Sequence, residues 1–378
     1  MAGSAIGSII EITFTILQQL ILLPLTIISL FTNNHNKNEE ESYSSFDHLA
    51  LNVKRPQTEW LNMGDWTDIQ DDLPMACRQL CERLYSEADI RPGAKILDVG
   101  HGCGDSLLLL MQRYRPSILH GVTSLPSHAQ RAKKRVEEVQ QRLAKDKSQE
   151  MEVEVHCDDA VTHVERLAKI AEKKQASSKR GSRLQPLDGT EDAEKYDFIF
   201  ALDCAYHFET RQRFINACHS LLKPGGTLAL VDLIATHPYP NLSPHSYNKT
   251  TKEARFSPSP SIKPPKIPKP SLFDSLKHSF VLRMAKVPSI NLISANTYLA
   301  QLDQAKYDDV LIQDISHAMF PNFARFLKRL GQGEEQAWRG GSNLQLTALR
   351  AFGHVVEGWA EGGDHGMVRS VIVVAKKD

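Results

Sequence analysis

The chain has 378 residues, enough for one large domain or two small ones, and its 41% apolar content suits an ordinary globular core. Lys and Arg (45) balance Asp and Glu (45), which excludes a global field drawing the chain to nucleic acid or to an acidic partner. The six cysteines, at 77, 81, 103, 157, 204 and 218, form no C-x-x-C pair and no zinc spacing, so they read as reduced thiols of a cytosol-facing protein and not as a disulfide framework.

The first element is "IIEITFTILQQLILLPLTIISLF" at 9–31, with Glu11 its only charge. About twenty such residues span the hydrocarbon of a bilayer as a helix. No basic n-region and no A-x-A site accompany the run, so residues 1–33 read as a membrane anchor and not as a cleaved signal peptide. Gln18, Gln19 and Pro24 keep a shallow monotopic arrangement open beside a single pass. The polar, acidic stretch at 34–56 reads as a tether.

From residue 57 the pattern changes. "LPMACRQLCERLYSEA" (73–88) has apolar residues at helical spacing, and strands then alternate with helices. "KILDV", "SILHGVT", "MEVEVHC", "YDFIFAL" and "GTLALVDLI" are strands. "DSLLLLMQRY", "HAQRAKKRVEEVQQRLAK", a segment around 160–173 and "RQRFINACHSLL" are helices. Such alternation specifies a parallel sheet covered on both faces. The small polar residues of 174–195 predict a flexible loop, and the Pro, Ser and Lys of 237–270 a second excursion. "YDDVLIQDIS" (307–316) and "MVRSVIVVAKK" (367–377) read as the last two strands, with a helical insertion at 317–363 between them.

Chemistry enters at "KILDVGHGCGD". Glycines after a strand let the chain turn sharply and let a ligand touch backbone, and the helix starting near Asp105 offers free N–H groups. A dinucleotide fold places its third glycine one residue later and an acidic residue about 20 positions on. Here the second strand ends "HGVTSLP", without that carboxylate, which counts against a nicotinamide cofactor.

"ILDVGHGCGD" resembles motif I of class I S-adenosylmethionine-dependent methyltransferases. "HGVTSLPSHAQRA" is similar to the second-strand segment of the sterol and tocopherol methyltransferase group, and "VEVHCDDA" to its third-strand motif. "YDFIFALDCAYHF" with "LKPGGTLALVD" resembles the fourth and fifth strands, and "WLNMGDW" (60–66) the segment that leads into the fold. The ordered motifs cover 57–235, and 290–377 weakly. The resemblance implies a Rossmann-like α/β methyltransferase domain over 57–378, with a seven-stranded, mostly parallel sheet, an antiparallel last strand and a helical lid insertion. It implies S-adenosyl-L-methionine as cofactor. Asp98, Gly100, Gly102 and Gly104 would hold its methionine end, and Asp159 with Ala160 its adenine. Leu202 and Asp203 would stand beside the methyl. Thr123 and Ser124 would take the ribose turn, where the family often has an acidic or polar partner.

An activated methyl leaves the enzyme to align an acceptor and remove its proton. His207, at the carboxyl edge of the fourth strand, is the candidate base, with Trp60, Tyr206, Glu209 and, on the insertion side, His317 lining the pocket. His101 reads as packing within the turn. No metal ligand set is expected. Anchor and apolar insertion together point to a lipophilic small molecule (a sterol, prenylated phenol or quinone, polyketide or fatty acyl compound), methylated on oxygen or carbon by an enzyme of the endoplasmic reticulum or another internal membrane. N-transfer to a small amine or phospholipid headgroup, or a non-catalytic subunit, are the alternatives. Without a basic stripe, nucleic acid is not an expected partner.

Overall fold

The computed structural model describes residues 58–143, 151–181, 195–235, 255–257, 287–331, 343–361 and 367–378. The expected anchor and tether lie outside them; among the described residues no helix is long and apolar enough to cross a membrane. The strands are β1 (Lys95–Val99), β2 (Ile118–Thr123), β3 (Glu152–Cys157), β4 (Tyr196–Leu202), β5 (Leu222–Ala235), β6 (Arg255–Ser257), β7 (Val310–Asp314) and β8 (Val368–Lys376). They form one sheet in the order β3-β2-β1-β4-β5-β8-β7-β6. β1 to β5 run parallel, and β8 lies antiparallel between β5 and β7. The seven expected strands are therefore present with their expected directions, and β6 is an eighth, parallel to β7 at the edge, inside the segment expected to be a Pro- and Ser-rich loop.

The helices are α1 (Leu73–Glu87), α2 (Asp105–Leu109), α3 (Pro126–Leu143), α4 (Ala160–Gly181), α5 (Arg211–Leu221), α6 (Ala295–Gln304), α7 (Ser316–Gly331) and α8 (Asn343–Glu361). α4 continues to Gly181, so the expected loop at 174–195 starts as helix. α2 gives way after Leu109 to one π-helical turn, Leu110–Tyr114, where a single helix was expected.

Alternation along the strands splits the core in two. Ile96, Phe198 and Phe200 face the cluster built with α1, α2, α7 and α8, whereas Leu97, Ile199 and Ala201 face the one built with α4, α5 and α6. β1, β4 and β5 are buried almost throughout, as central parallel strands must be. β3 is less apolar than the central strands: it lies at a sheet edge, and Glu152 and Glu154 stand exposed on it.

The segment before α1 is part of this core. Trp66 is buried, its indole donates to Met63 O at 2.8 Å, and its backbone N–H donates to Ala318 O on α7 at 2.8 Å. The Phe323 and Phe326 rings lie 6.4 and 5.5 Å from it. Residues 60–66 are thereby fixed between the sheet edge and the insertion that separates β7 from β8.

Candidate active site

β1, β2 and β4 end together, and their carboxyl ends build the site. After Val99 the backbone passes through three left-handed glycines, Gly100, Gly102 and Gly104, with φ of +79°, +57° and +95°. A Cβ on Gly100 would lie 2.4 Å from Cys204 Sγ, and one on Gly102 would lie 2.8 Å from Leu61 Cδ1. Sterics thus favour glycine at Gly100, and at Gly102 the positive φ disfavours any other residue. Gly100 N–H donates to Val122 O at 2.7 Å, which ties the turn to β2.

Two carboxylates stand at this edge with incomplete compensation. Asp98 is fully buried; its Oδ2 accepts from Ser106 Oγ at 2.5 Å, and its Oδ1 has no hydrogen-bond partner. Burial pushes its pKa up to about 7 against the Ser106 hydrogen bond. Asp203, in the left-handed region with φ 56°, accepts from Met63 N–H at 2.7 Å, and its Oδ1 is also without a partner. Burial raises it to about 7 too, opposed by hydrogen bonds from Met63 and Tyr206.

Beyond Asp203 the chain makes a 3-10 turn, Ala205–His207, in which the Tyr206 and His207 rings lie 4.3 Å apart. Leu202 and Trp60 are buried, whereas Glu209 and His317 are exposed. Thr123 ends β2 buried, and Ser124 is exposed. Asp159 is exposed and caps α4, its Oδ1 accepting from Thr162 N–H at 2.8 Å, so a carboxylate expected to meet a ligand already holds a helix end. Ala160 opens that helix, buried. His101 is packed against Gly121, where a Cβ would come within 2.9 Å of its Cδ2. Burial lowers its pKa to about 4, so the ring is neutral.

Several residues here carry no motif. Asp105 accepts from Glu59 N–H at 3.0 Å and from Arg135 Nη1 and Nη2, each at 2.7 Å, and the Glu59 carboxylate grips Arg131 at 2.7 and 2.9 Å. Burial opposes ionisation of Glu59, but the Arg131 hydrogen bond and the Arg135 and Arg131 charges prevail and lower it to about 2. Arg131 and Arg135 are four apart on α3, the spacing that puts both on one face; the partner at Glu59 gives no local signal. This strap holds Leu61 over the glycine turn.

A glycine turn that exposes backbone, with an orphaned, buried carboxylate oxygen below it, fits a ligand that is polar at one end and carries positive charge. A family model described as a methyltransferase domain matches residues 69–278, more than half of the chain. The chain belongs to the methyltransferase-domain family. It is an S-adenosylmethionine-dependent enzyme, and the donor set above suits that cofactor. Over 274 residues it is 27% identical to erythromycin 3''-O-methyltransferase of Saccharopolyspora erythraea, covering 72% of this chain and 69% of that one. Among solved structures, the cyclopropane synthase MmaA2 from Mycobacterium tuberculosis is similar with a TM-score of 0.57 and 14% identity, covering 91% of this chain and all of that one (100%). A sarcosine dimethylglycine methyltransferase from Galdieria sulphuraria follows at 0.53 and 16%, covering 84% and 93%. The chain spans only about half (52%) of phosphoethanolamine N-methyltransferase 2 from Haemonchus contortus, at a TM-score of 0.50, 15% identity and 79% of this chain. At these identities the structures share the fold.

Gly100→Ala is expected to destabilise the protein by roughly 1–3 kcal/mol, from strain at positive φ and the clash with Cys204, and to abolish measurable cofactor binding by calorimetry. In the same background Cys204→Ala should recover part of the melting temperature but not the affinity; recovery of both would show that the turn needs space and not glycine's backbone freedom.

Proposed function

We propose that this methyltransferase acts on a lipophilic small molecule, a sterol, prenylated phenol or quinone, polyketide or fatty acyl compound, and methylates oxygen or carbon. The observation that carries the reading is the His207 turn: an imidazole just beyond the tip of β4, its ring 4.3 Å from that of Tyr206, which hydrogen-bonds to the buried Asp203 carboxylate that also takes the Met63 N–H of the leading segment. Large apolar residues also stand exposed at this end: Leu61 over the glycine turn, and Ile290 next to Asn291, whose amide bonds the Tyr206 carbonyl. The erythromycin relative is by its name an O-methyltransferase, which supports oxygen as acceptor. The 9–31 run would hold the enzyme on an internal membrane, its catalytic domain facing the cytosol, where such acceptors dissolve.

In this reading Asp98 holds the cationic methionine end of the cofactor with the glycine turn, and Asp203 and Leu202 border the methyl. Thr123 and Ser124 lie on the ribose side, and Ala160 with the outer oxygen of Asp159 on the adenine side. S-adenosylmethionine, when bound, supplies a methyl already activated as a sulfonium. Trp60 and Tyr206 wall off water and set the angle of the acceptor. His207 would take the proton that the acceptor's oxygen or carbon gives up on methylation.

The carboxylates predict the pH response. Asp98 and Asp203 sit near 7 in the free protein, so at about pH 6 both are largely protonated; a cation beside them drives ionisation. Cofactor binding at that pH is therefore expected to release protons, read by calorimetry in buffers of different ionisation enthalpy. Affinity should weaken by up to about tenfold per pH unit and coupled carboxylate as pH falls below 7. Asp98→Asn should remove its share of the release, and an unchanged release would place the cation elsewhere.

Methyl-labelled cofactor incubated with the enzyme and a membrane lipid extract is expected to label an extractable small molecule, whose mass spectrum names the acceptor atom. Label found only in protein or RNA would refute the acceptor class. His207→Ala should lower the transfer rate by about 10²-fold or more without changing cofactor affinity, whereas full turnover at all pH values excludes it as the base.

A further inference from the structure

Outside the cofactor's seat lies a second polar cluster, buried as deeply as the core and drawn from three parts of the chain. Arg211 opens α5, Asp232 lies on β5, and Asn291 ends the 3-10 turn Ser289–Asn291 before α6; Arg211 and Asn291 are 1% exposed and Asp232 0%. Arg211 Nη1 donates to Asp232 Oδ2 at 2.8 Å and to Leu233 O at 3.2 Å, and Nη2 donates to Asn291 O at 2.6 Å. Tyr298 Oη donates to the same Asp232 oxygen at 2.8 Å, and its ring lies 4.0 Å beneath the guanidinium. Asp232 Oδ1 accepts the Leu233 N–H at 2.8 Å.

The far side of this cluster faces the His207 turn. Asn291 Oδ1 accepts from Arg211 N–H at 3.1 Å, while Nδ2 donates to Tyr206 O at 3.1 Å and to Phe208 O at 2.7 Å. One side-chain amide thus grips the carbonyls on either side of His207. A desolvated ion pair adds little to stability compared with apolar packing, and where such pairs are kept they can select one conformation. Here the conformation selected is that of the turn carrying the imidazole.

We propose that Asn291 is a positioning residue for methyl transfer, holding the Tyr206–Phe208 turn so that His207 meets the acceptor, with Arg211, Asp232 and Tyr298 as the anchor that fixes Asn291. The proposal rests on the reading of His207 as the base. Asparagine is required chemically: aspartate offers no hydrogens to the two carbonyls, and alanine leaves both unbound.

The test uses the full chain with isotope-labelled histidine, the His207 ring signals being those lost in His207→Gln. Asn291→Ala and Asn291→Asp should shift these signals and lower label transfer into the membrane lipid extract at saturating cofactor by about tenfold or more, with affinity for S-adenosylhomocysteine held within about twofold. Tyr298→Phe, a milder variant that deletes only the hydroxyl bond to Asp232, should move both readouts less but in the same direction. As a control, Tyr307→Phe deletes a buried hydrogen bond to Ile215 O and should move neither. Unchanged His207 signals in Asn291→Ala, or equal shifts in Tyr307→Phe, overturn the proposal. Full label transfer by His207→Gln would instead overturn the base reading, while a signal shift in Asn291→Ala would still uphold the grip on the turn.

Discussion

Between the turn after β1 and the turn after β4 there is less than one side chain's width. Cys204 Sγ occupies the place of any Cβ on Gly100 and hydrogen-bonds to Val99 O at 3.3 Å, so the two turns are held as one object. The thiol is kept neutral: burial raises its pKa well above the usual range, and the charges of Asp98, Asp203 and Asp232 raise it further. Asp203, immediately before it, has a left-handed backbone, and the turn that follows sets Tyr206 and His207 at the sheet edge. The place of the imidazole relative to the glycines is therefore decided by the contact at Gly100, and the strap over Gly102 and the amide grip of Asn291 act on a geometry that contact has already set.

Asp98, Asp203 and Asp232 are buried within this region, and their environments separate structural from ligand-facing roles. Asp232 has its own cation in Arg211, a tyrosine hydroxyl and a backbone N–H, so its charge is compensated within the protein. Asp98 has one serine hydroxyl, and Asp203 a backbone N–H and Tyr206; each has one oxygen without a partner and a pKa near 7. A carboxylate in that condition costs stability when ionised, a cost that core positions rarely retain and that a cationic ligand offsets.

The central strands were legible because burial on both faces leaves a continuous apolar run, and the glycine turn because sterics favour glycine at Gly100. Asp98, Leu202 and Asp203 are implied by the motif resemblance around those strands, and His207 by its place just past the fourth one. Elsewhere the signal was weak for physical reasons. Glu59 meets Arg131 across 72 positions, and Asn291 meets Tyr206 across 85, so neither contact leaves a local pattern. The resemblance implies a ligand contact for Asp159, yet an Asp just before a helix is equally a cap, which is how one of its oxygens is used. His317 follows the end of β7 in sequence, but the first turn of α7 leaves it exposed. The strand Arg255–Ser257 lies among Pro and Ser residues that local propensity assigns to loop; it is carried by pairing with Leu311–Gln313.

Strand direction explains why the insertion belongs to the site end of the molecule. β7 runs with β5 and so finishes at the edge where β1 and β4 finish, and β8 runs against both and so starts there. Whatever connects them must leave and return at that edge. α7 begins two residues after β7 and meets the leading segment at once, through the bond from Trp66 N–H to Ala318 O and the rings of Phe323 and Phe326. The same leading segment bonds to Asp203 through Met63 and to Asp105 through Glu59. Displacing residues 59–66 would therefore cost contacts at the glycine turn, at the β4 tip and on α7 together. The leading segment thus joins the buried carboxylates and the apolar insertion through one set of contacts.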